Sequence, residues 1–469
     1  MNKRFRVCDL DQPFLLPPSL QDWLPEGHLA RFVADVSHEL DLSAIYAEYE
    51  RNDGRGLSAY HPLLLTRLLL YGYSIGVTSS RAIEKATYDN VAFRYLAADQ
   101  HPDHDTIASF RQEHLEAFAD LFVQVLRLCQ KAGLVKLGSI ALDGTKMLAN
   151  ASTQHSVSHQ RLQEYEQHWK AVVARLLMEA EKTDRQEDER FGKGRAGDTL
   201  PEELAHAHSR LQRIQQAKAE LEREAQQELE NAGGNQAARK RGRPSKQEQA
   251  LQPPLDPQQR DKEKKRRQRA TRKAQGPTRQ YNFVDPDSRV MRDNAHKCFV
   301  QAYNAQIAVD AHQQIIVAAE ITQKTTDREQ LLPMVRSVLA TTGMIPETVT
   351  ADAGYWDTIS LRDPCLQGIQ VLVCPDGQLQ PPGVPLPPNA PKNQEAMRMR
   401  ELLLTPMGKA LYLLRKATVE PVFGQIKEAR CLRRFRFRGL RSVACEWKLI
   451  CTTHNLLKLF RYGTTPAPA

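Results

Sequence analysis

Two short stretches, SIALDGTK around Asp143 and TVTADAGY around Asp352, read as strands that end in an Asp followed within two residues by Gly. In a mixed α/β sheet ligands gather at the carboxyl ends of strands, and Gly there lets the backbone turn without a side-chain clash. Neighbouring strands would bring the two carboxylates together. A third acid is expected from a late helix packed on the same sheet edge, and YLLRKATVEPVFGQIK supplies Glu420. Cleaving or transferring a phosphodiester needs an activated oxygen nucleophile and a stabilised leaving oxygen, which two Mg²⁺ ions about 4 Å apart provide. Hard cations of this kind, with Mn²⁺ as a substitute, take oxygen ligands. Asp143, Asp352 and Glu420 are therefore the candidate catalytic and metal-binding set. Asp285, Asp287, Asp310 and Asp327 also invite a catalytic reading. Asp310 is better explained as a hairpin turn, and Asp287 is the reserve ligand.

The surrounding pattern says what must position these acids. From Leu20 to about Gly133, apolar residues recur at three- and four-residue intervals in HLARFVADVSHEL, HPLLLTRLLLYGYSIG, SSRAIEKATYDNVAFRYLA and DTIASFRQEHLEAFADLFVQVLRLCQKAG, giving at least four helices. Thr78-Ser79-Ser80 and Asp105-Thr106 are the expected caps of the last two. VKLGSIALDGTKM then reads as a strand ending at Asp143. Gln154 to Glu230 is rich in Glu, Gln, Arg, Ala and Leu and reads as two long polar helices split by a loop from Phe191 to Pro201, an antiparallel hairpin. After Cys298 come two β-rich runs joined through Asp310, a helix, a strand ending at Asp352, a short helix, a last strand (IQVLVCPD), a proline-rich loop from Asp376 to Asn393, and helices to Leu459.

That is the element order of a ribonuclease-H-like α/β core, a mixed five-stranded sheet with flanking helices. The expected organisation is an all-α DNA-binding domain over 1–133, the first part of the core over 134–152, a helical and basic insertion over 153–280, the remainder of the core over 281–459 and a disordered tail over 460–469.

The chain has 469 residues and a net charge of +9, from 65 Lys plus Arg against 56 Asp plus Glu. The excess is concentrated: Ala238 to Gln280 alone holds 15 basic against 4 acidic residues, a local excess of +11. With few large apolar residues this segment cannot bury a core, and it fits a polyanionic partner. Eight Cys without a CxxC pair suit a reducing cytosol, and Cys451 with His454 reads as ordinary packing, so no zinc is expected. No signal peptide and no run of about 18 apolar residues is visible, so a soluble, non-membrane protein of the bacterial cytoplasm, associated with the nucleoid, is expected.

Taken together, ALDGTK, TADAGYWD and YLLRKATVEPVFGQIK, with NFVDPDSRVM and QAYNAQIAVD between them, resemble the DDE transposases of bacterial insertion sequences, whose third acid lies in a Tyr-Arg-Glu-Lys signature. The resemblance runs from about Leu15 to about Leu459. It implies metal-dependent cleavage at transposon ends, attack of the freed 3′-hydroxyl on target DNA, and a homodimer bridging two ends. The signature is irregular. Tyr412 and Arg415 keep the family spacing, but four residues rather than three separate Arg415 from Glu420. On a continuous helix Arg415 then lies about 140° from Glu420, whereas Lys416 and Lys427 lie within about 40° of it. Either Lys416 takes the Arg role, or Pro421 breaks the helix and restores Arg415. Lys427 is expected to contact a DNA phosphate.

Further DNA contacts are expected from Arg241-Gly-Arg243-Pro, which resembles an AT-hook core, and from the alternating Arg433, Arg434, Phe435, Arg436, Phe437 and Arg438, one face packed and the other toward phosphate. Arg81 and Lys85 mark a candidate recognition helix for the inverted repeats. Tyr355 and Trp356 suit either base stacking or a core. Two other functions share this pattern: a ribonuclease-H-like nuclease acting on other nucleic acid, and a catalytically inactive, transposase-derived DNA-binding protein.

Overall fold

The computed structural model describes residues 19–50, 59–191, 202–237, 280–293, 297–376, 390–391 and 393–463. The AT-hook-like Arg241 and Arg243, nearly all of the basic segment, most of the proline-rich loop and the end of the tail lie outside the described residues. The chain forms two compact units, Met1–Asn150 with Ala302–Ala469, and Ala151–Gln301.

Among the described residues the first unit opens with seven helices: α1 (Leu29–Val36), α2 (Ser43–Glu50), α3 (Pro62–Ile75), α4 (Ser80–Asp89), α5 (Val91–Leu96), α6 (His104–Glu113) and α7 (Leu115–Lys131). Two of the expected helices are each divided. Asn90 ends α4 in an extended conformation and caps α5, its side chain accepting from the N–H of Ala92 and Phe93. His114 separates α6 from α7. The expected caps shift as well: Ser79 makes no side-chain cap bond. Asp103, rather than Asp105, caps α6 by accepting from Thr106 N at 2.6 Å.

β1 (Ser139–Leu148) follows. It does not end at Asp143 but runs five residues beyond it. In the second unit, β2 (Ser156–Ser158), α8 (His159–Phe191), α9 (Glu202–Ala237), β3 (Gln280–Asn282) and β4 (Arg289–Asp293) succeed one another. α8 and α9 form the expected antiparallel hairpin. Lys218 reaches Glu166 at 2.8 Å, His159 reaches Glu222 at 3.3 Å, and Leu162, Ile214, Ala217 and Leu221 close an apolar seam between them. Asp285 and Asp287 belong to this unit, and Asp285 accepts Ser288 N at 3.2 Å in a tight turn.

The chain re-enters the first unit through β5 (Cys298–Asp310), then β6 (Ile316–Thr322), α10 (Leu331–Thr342), β7 (Thr348–Ala351), β8 (Gln370–Val373), α11 (Gln394–Leu404), α12 (Pro406–Gly424), a π-helical turn over Gln425–Ala429, and α13 (Leu440–Tyr462). The expected short helix between β7 and β8 is instead a pair of 3₁₀ turns, Ser360–Arg362 and Pro364–Leu366. The five strands within this unit lie in the order β6-β5-β1-β7-β8. β5 is antiparallel to β1 and β6, while β1, β7 and β8 are mutually parallel. Asp310 has the turn role assigned to it: its carboxylate accepts Leu137 N at 2.7 Å and His312 N at 2.8 Å.

α13 is buried on nearly every side from Val443 to Leu459. A helix that is buried all round needs cover on every face, and α3, α7 and β6 supply it. The N-terminal helices therefore fold in one unit with the sheet, and α13 itself continues three residues past Leu459. Among the described residues no helix is long and apolar enough to cross a membrane.

Candidate active site

The parallel pairing of β1 with β7 aligns Leu142 with Ala351 at the end of the ladder. The next residue on each strand is Asp143 and Asp352. Side chains in register on adjacent parallel strands stand on the same face, so the two carboxylates meet as their spacing led one to expect. Asp352 leaves β7 and caps the 3₁₀ turn Ala353–Tyr355, its side chain accepting Gly354 N at 3.0 Å. Asp143 accepts Gly144 N at 2.8 Å.

Both acids are half-buried, and the surroundings act on them strongly. Burial, reinforced by the charge of Asp352 and opposed by Arg415, pushes the Asp143 carboxyl up to about 7. Burial and then the charge of Asp327 raise Asp352, again against Arg415. The Arg415 guanidinium lies 3.6 Å from Asp143. Lys146 has its ammonium pKa lowered by burial, although Asp327, Asp143 and Asp352 all favour its charge.

Asp327, one of the four further acids that invited a catalytic reading, also lies at this site. Its Oδ1 accepts Asn304 Nδ2 at 2.8 Å and Gln306 Nε2 at 2.7 Å, and lies 3.9 Å from Lys146 Nζ. Gln306 in turn accepts the Tyr355 hydroxyl in a very short hydrogen bond. Tyr355 is thus a buried core residue, and Trp356 packs against Leu372, Cys374, Met399 and Leu403. A sequence signal existed: Asn304 and Gln306 alternate at period two within YNAQIAV, otherwise an apolar strand, and both are fully buried.

Gly144 is required here, for a different reason from a turn. It sits inside β1, and a Cβ on it would lie 2.2 Å from Gln306 Nε2 and 2.4 Å from Asp327 Oδ1. Only glycine lets the strand and this amide-carboxylate pair approach so closely.

α12 packs on β1, β7 and β8 and buries Gly408, Arg415, Thr418, Val419 and Val422. It stays helical through Pro421. Proline cannot donate to the carbonyl four residues back, and that carbonyl, on Ala417, accepts Gln314 Nε2 at 2.9 Å instead. The unbroken helix turns Arg415 inward to Asp143 and leaves Lys416 and Glu420 exposed. Lys416 thus shares the outer face of the helix with Glu420, as the continuous helix requires, while Arg415 alone turns to Asp143. Asp143 and Asp352 are brought together, whereas Glu420 lies off the buried stripe of its helix. Tyr412 is half-buried, 5.9 Å from the Arg415 guanidinium carbon, and burial pushes its phenol up to about 12.

Lys427 also departs from expectation. The π-helical turn after α12 directs it back to β1, where it donates to Thr145 Oγ1 at 2.5 Å and to the Lys146 carbonyl at 2.8 Å. It braces the strand rather than facing outward to a phosphate. Cys451 and His454 are buried in α13, and the two ring nitrogens of His454 face Gln425 and the Gln314 carbonyl, each at 3.0 Å.

The segment Arg433 to Arg438 extends the end of β1: Leu148 N donates to Arg433 O at 3.0 Å and Phe435 N to Leu148 O at 2.9 Å. Phe435 is buried edge-on to Tyr303 and Trp447, while Arg433, Arg434, Arg436 and Arg438 are exposed. Buried Glu446 fixes this segment by accepting the N–H of Arg436 at 2.9 Å and of Phe437 at 3.1 Å, and it receives the Tyr73 hydroxyl at 3.1 Å. Arg433 is ion-paired to Glu428, and Arg438 donates to the Asn150 carbonyl at 3.0 Å. Arg81 and Lys85 are exposed on α4.

A divalent cation suits Asp143 and Asp352 on charge and donor type, since two raised carboxylates share one close guanidinium. Among the described residues, no three His, Cys, Asp or Glu side chains are disposed to hold a metal ion as they stand.

Two family models match the chain: Transposase domain (DUF772) over residues 18–113, and Transposase DDE domain over residues 385–460. The two matches cover parts of the chain and support an insertion-sequence DDE transposase, the family its motifs resemble. The second match spans Tyr412, Arg415, Glu420 and Lys427. No curated protein and no solved structure matches the chain.

Proposed function

We propose that the protein is a transposase that binds the inverted-repeat ends of its element and carries out phosphodiester hydrolysis and strand transfer at Asp143 and Asp352. The observation that carries the reading is the β1–β7 register, which sets the two carboxylates side by side at the end of a parallel ladder. The strand order β6-β5-β1-β7-β8, in which β5 alone runs antiparallel to the other four, supports a ribonuclease-H-like core. Mg²⁺, or Mn²⁺ in its place, would be held by Asp143 and Asp352 and would activate the attacking oxygen and stabilise the leaving one, two ions per site. Arg415 orients Asp143 and tempers the repulsion between the aspartates. Lys427 braces β1 immediately beyond Asp143.

The partner is double-stranded DNA, at both the transposon ends and the target. Exposed Arg434, Arg436 and Arg438, fixed to the core through Glu446, suit phosphate contact near the acids. Arg81 and Lys85 on α4 suit the end-binding surface, and a homodimer suits the bridging of two ends. A cytoplasmic, nucleoid-associated protein follows from that substrate.

One assay tests the reading. The protein is incubated with Mg²⁺ and a labelled fragment carrying its element's end, in parallel with Asp143→Ala. Site-specific nicking that the substitution abolishes is the expected result. Binding without cleavage would favour an inactive DNA-binding descendant, and end-independent cutting would favour a nuclease.

A further inference from the structure

We propose that α4 and the segment Arg433 to Arg438 form one continuous surface that grips a single stretch of DNA backbone, and that buried Arg111 is the positioning residue that holds the two in register. The inference rests on the DNA-binding reading above and deepens it, joining two pieces of chain that lie 358 residues apart where they meet.

The two pieces touch. Arg436 Nε donates to Thr78 Oγ1 at 3.3 Å, and Thr78 lies in the connection that enters α4 at Ser80. Arg81 in the first turn of α4 is exposed, as are Arg434, Arg436 and Arg438 on the segment. Exposed cations from both pieces therefore border a single contact.

Arg111 of α6 closes that contact from inside, with 7% of its surface exposed. Its Nη1 donates to the Thr78 carbonyl at 2.7 Å and to the Tyr73 hydroxyl at 3.2 Å, and its Nη2 donates to Ser80 Oγ at 3.4 Å. Its guanidinium carbon sits 5.1 Å from the ring centre of Phe437. One side chain thus touches α3, the start of α4 and the arginine segment. Tyr73 extends the connection, because its hydroxyl donates to Glu446, whose other oxygen accepts the N–H of Arg436 and Phe437. A buried guanidinium and carboxylate joined through a phenol add little net stability compared with apolar packing, but they fit one arrangement of their neighbours.

A further anchor is independent of these side chains. Gly76 ends α3 at φ 86°, and a Cβ on it would lie 2.3 Å from the Arg430 carbonyl oxygen. Arg430 is itself buried and donates to the Tyr73 carbonyl at 3.3 Å and to Thr453 Oγ1 at 2.7 Å. The entry to α4 is therefore held at Gly76 by a residue just before the arginine segment, and at Thr78 by the segment itself. Cations fixed in one register meet the phosphates of one duplex without losing further freedom on binding.

The test reads the salt dependence of binding, which a purely structural role does not move. The full-length protein and its variants are mixed with a fluorescent duplex carrying the element's end, well below each melting temperature, and log affinity is followed against log salt. Arg81→Ala and Arg434→Ala should each lower the slope by about 0.9, and the double variant by about 1.8, because both side chains meet phosphates of one duplex. Arg111→Gln should lower it by about 0.9 or more although its side chain is buried, and adding Arg434→Ala should then change little further. Arg111→Lys, which keeps the charge but not the fork of donors, should recover part of the slope. Thr78→Val removes only the hydroxyl that meets Arg436; it should lower the slope too, and it decides the matter where Arg111→Gln does not fold. In ethylation interference, the phosphates that Arg81→Ala and Arg434→Ala relieve should lie within one helical turn, about 34 Å. An unchanged slope in Arg111→Gln, or in Thr78→Val where Arg111→Gln does not fold, overturns this inference alone. So does an effect of only one of Arg81→Ala and Arg434→Ala, or relieved phosphates more than a turn apart. A parent protein that does not bind the duplex, or slopes untouched by both arginine variants, overturns the DNA-binding reading itself.

Discussion

Asp143→Asn removes a carboxylate whose ionised form the fold disfavours, so its effect on stability has a calculable sign. Burial and Asp352 raise the Asp143 carboxyl from 3.8 to about 7. Between those values the folded state binds more protons than the unfolded one, so stability is greatest at low pH and falls as pH rises through the window. About three pH units at 1.36 kcal/mol each correspond to about 4 kcal/mol lost by pH 8. Asn carries no such burden. Its cost is the Arg415 contact at 3.6 Å, partly replaced by Asp352, which Arg415 also influences. A net gain of about 2–4 kcal/mol at pH 8 is therefore expected. The assay is urea denaturation in EDTA at pH 5 and pH 8, for parent and variant. Because about one unit of the window lies below pH 5, the gap between the two proteins should widen by about 2–3 kcal/mol from pH 5 to pH 8. The same variant should lose end-specific cleavage. A gap that does not change with pH, or a variant less stable than its parent at pH 8, would refute the reasoning, because it would mean that Arg415 and the Gly144 N–H fully compensate the charge.

Three further outcomes are expected. Gly144→Ala places a methyl 2.2 Å from Gln306 Nε2 and 2.4 Å from Asp327 Oδ1; calorimetry should show a loss of about 1–3 kcal/mol from overpacking, with cleavage impaired beyond the stability effect. Glu446→Ala leaves the Arg436 and Phe437 N–H groups and the Tyr73 hydroxyl without their acceptor. At about 1–3 kcal/mol for each unsatisfied buried group, a melting experiment should reveal severe destabilisation, and gel shifts should show weaker DNA binding as the arginine segment loosens. Arg434→Ala and Arg438→Ala should each reduce the slope of log affinity against log salt by about 0.9, whereas Lys427→Ala, tied to Thr145 and Lys146, should lower the melting temperature and leave that slope nearly unchanged. An equal slope change for all three lysine and arginine variants would show that Lys427 faces DNA after all.

What could be read ahead of the structure was whatever local spacing determines. The β1–β7 pairing follows from two strand patterns with acids at matching ends, and the α8–α9 hairpin follows from two polar helices with an apolar seam. Long-range choices were not legible. Nothing local ranks Asp327 above the other candidate acids or links it to Asn304 and Gln306, and only the fold of β5 against β1 brings the two amides to Gly144. The fourth residue between Arg415 and Glu420 shows where such a limit lies. Helical geometry placed the two about 140° apart, so that only one of them can face the sheet if the helix is continuous. Whether it is continuous depended on Pro421, and the answer came from Gln314, a hairpin residue far away in sequence that takes up the carbonyl proline cannot serve. With the helix unbroken, the apolar stripe of Thr418, Val419 and Val422 carries Arg415 inward with it. Lys416 and Glu420 share the solvent-exposed face of the same helix. The carboxylate whose charge bears most on Asp352 is Asp327.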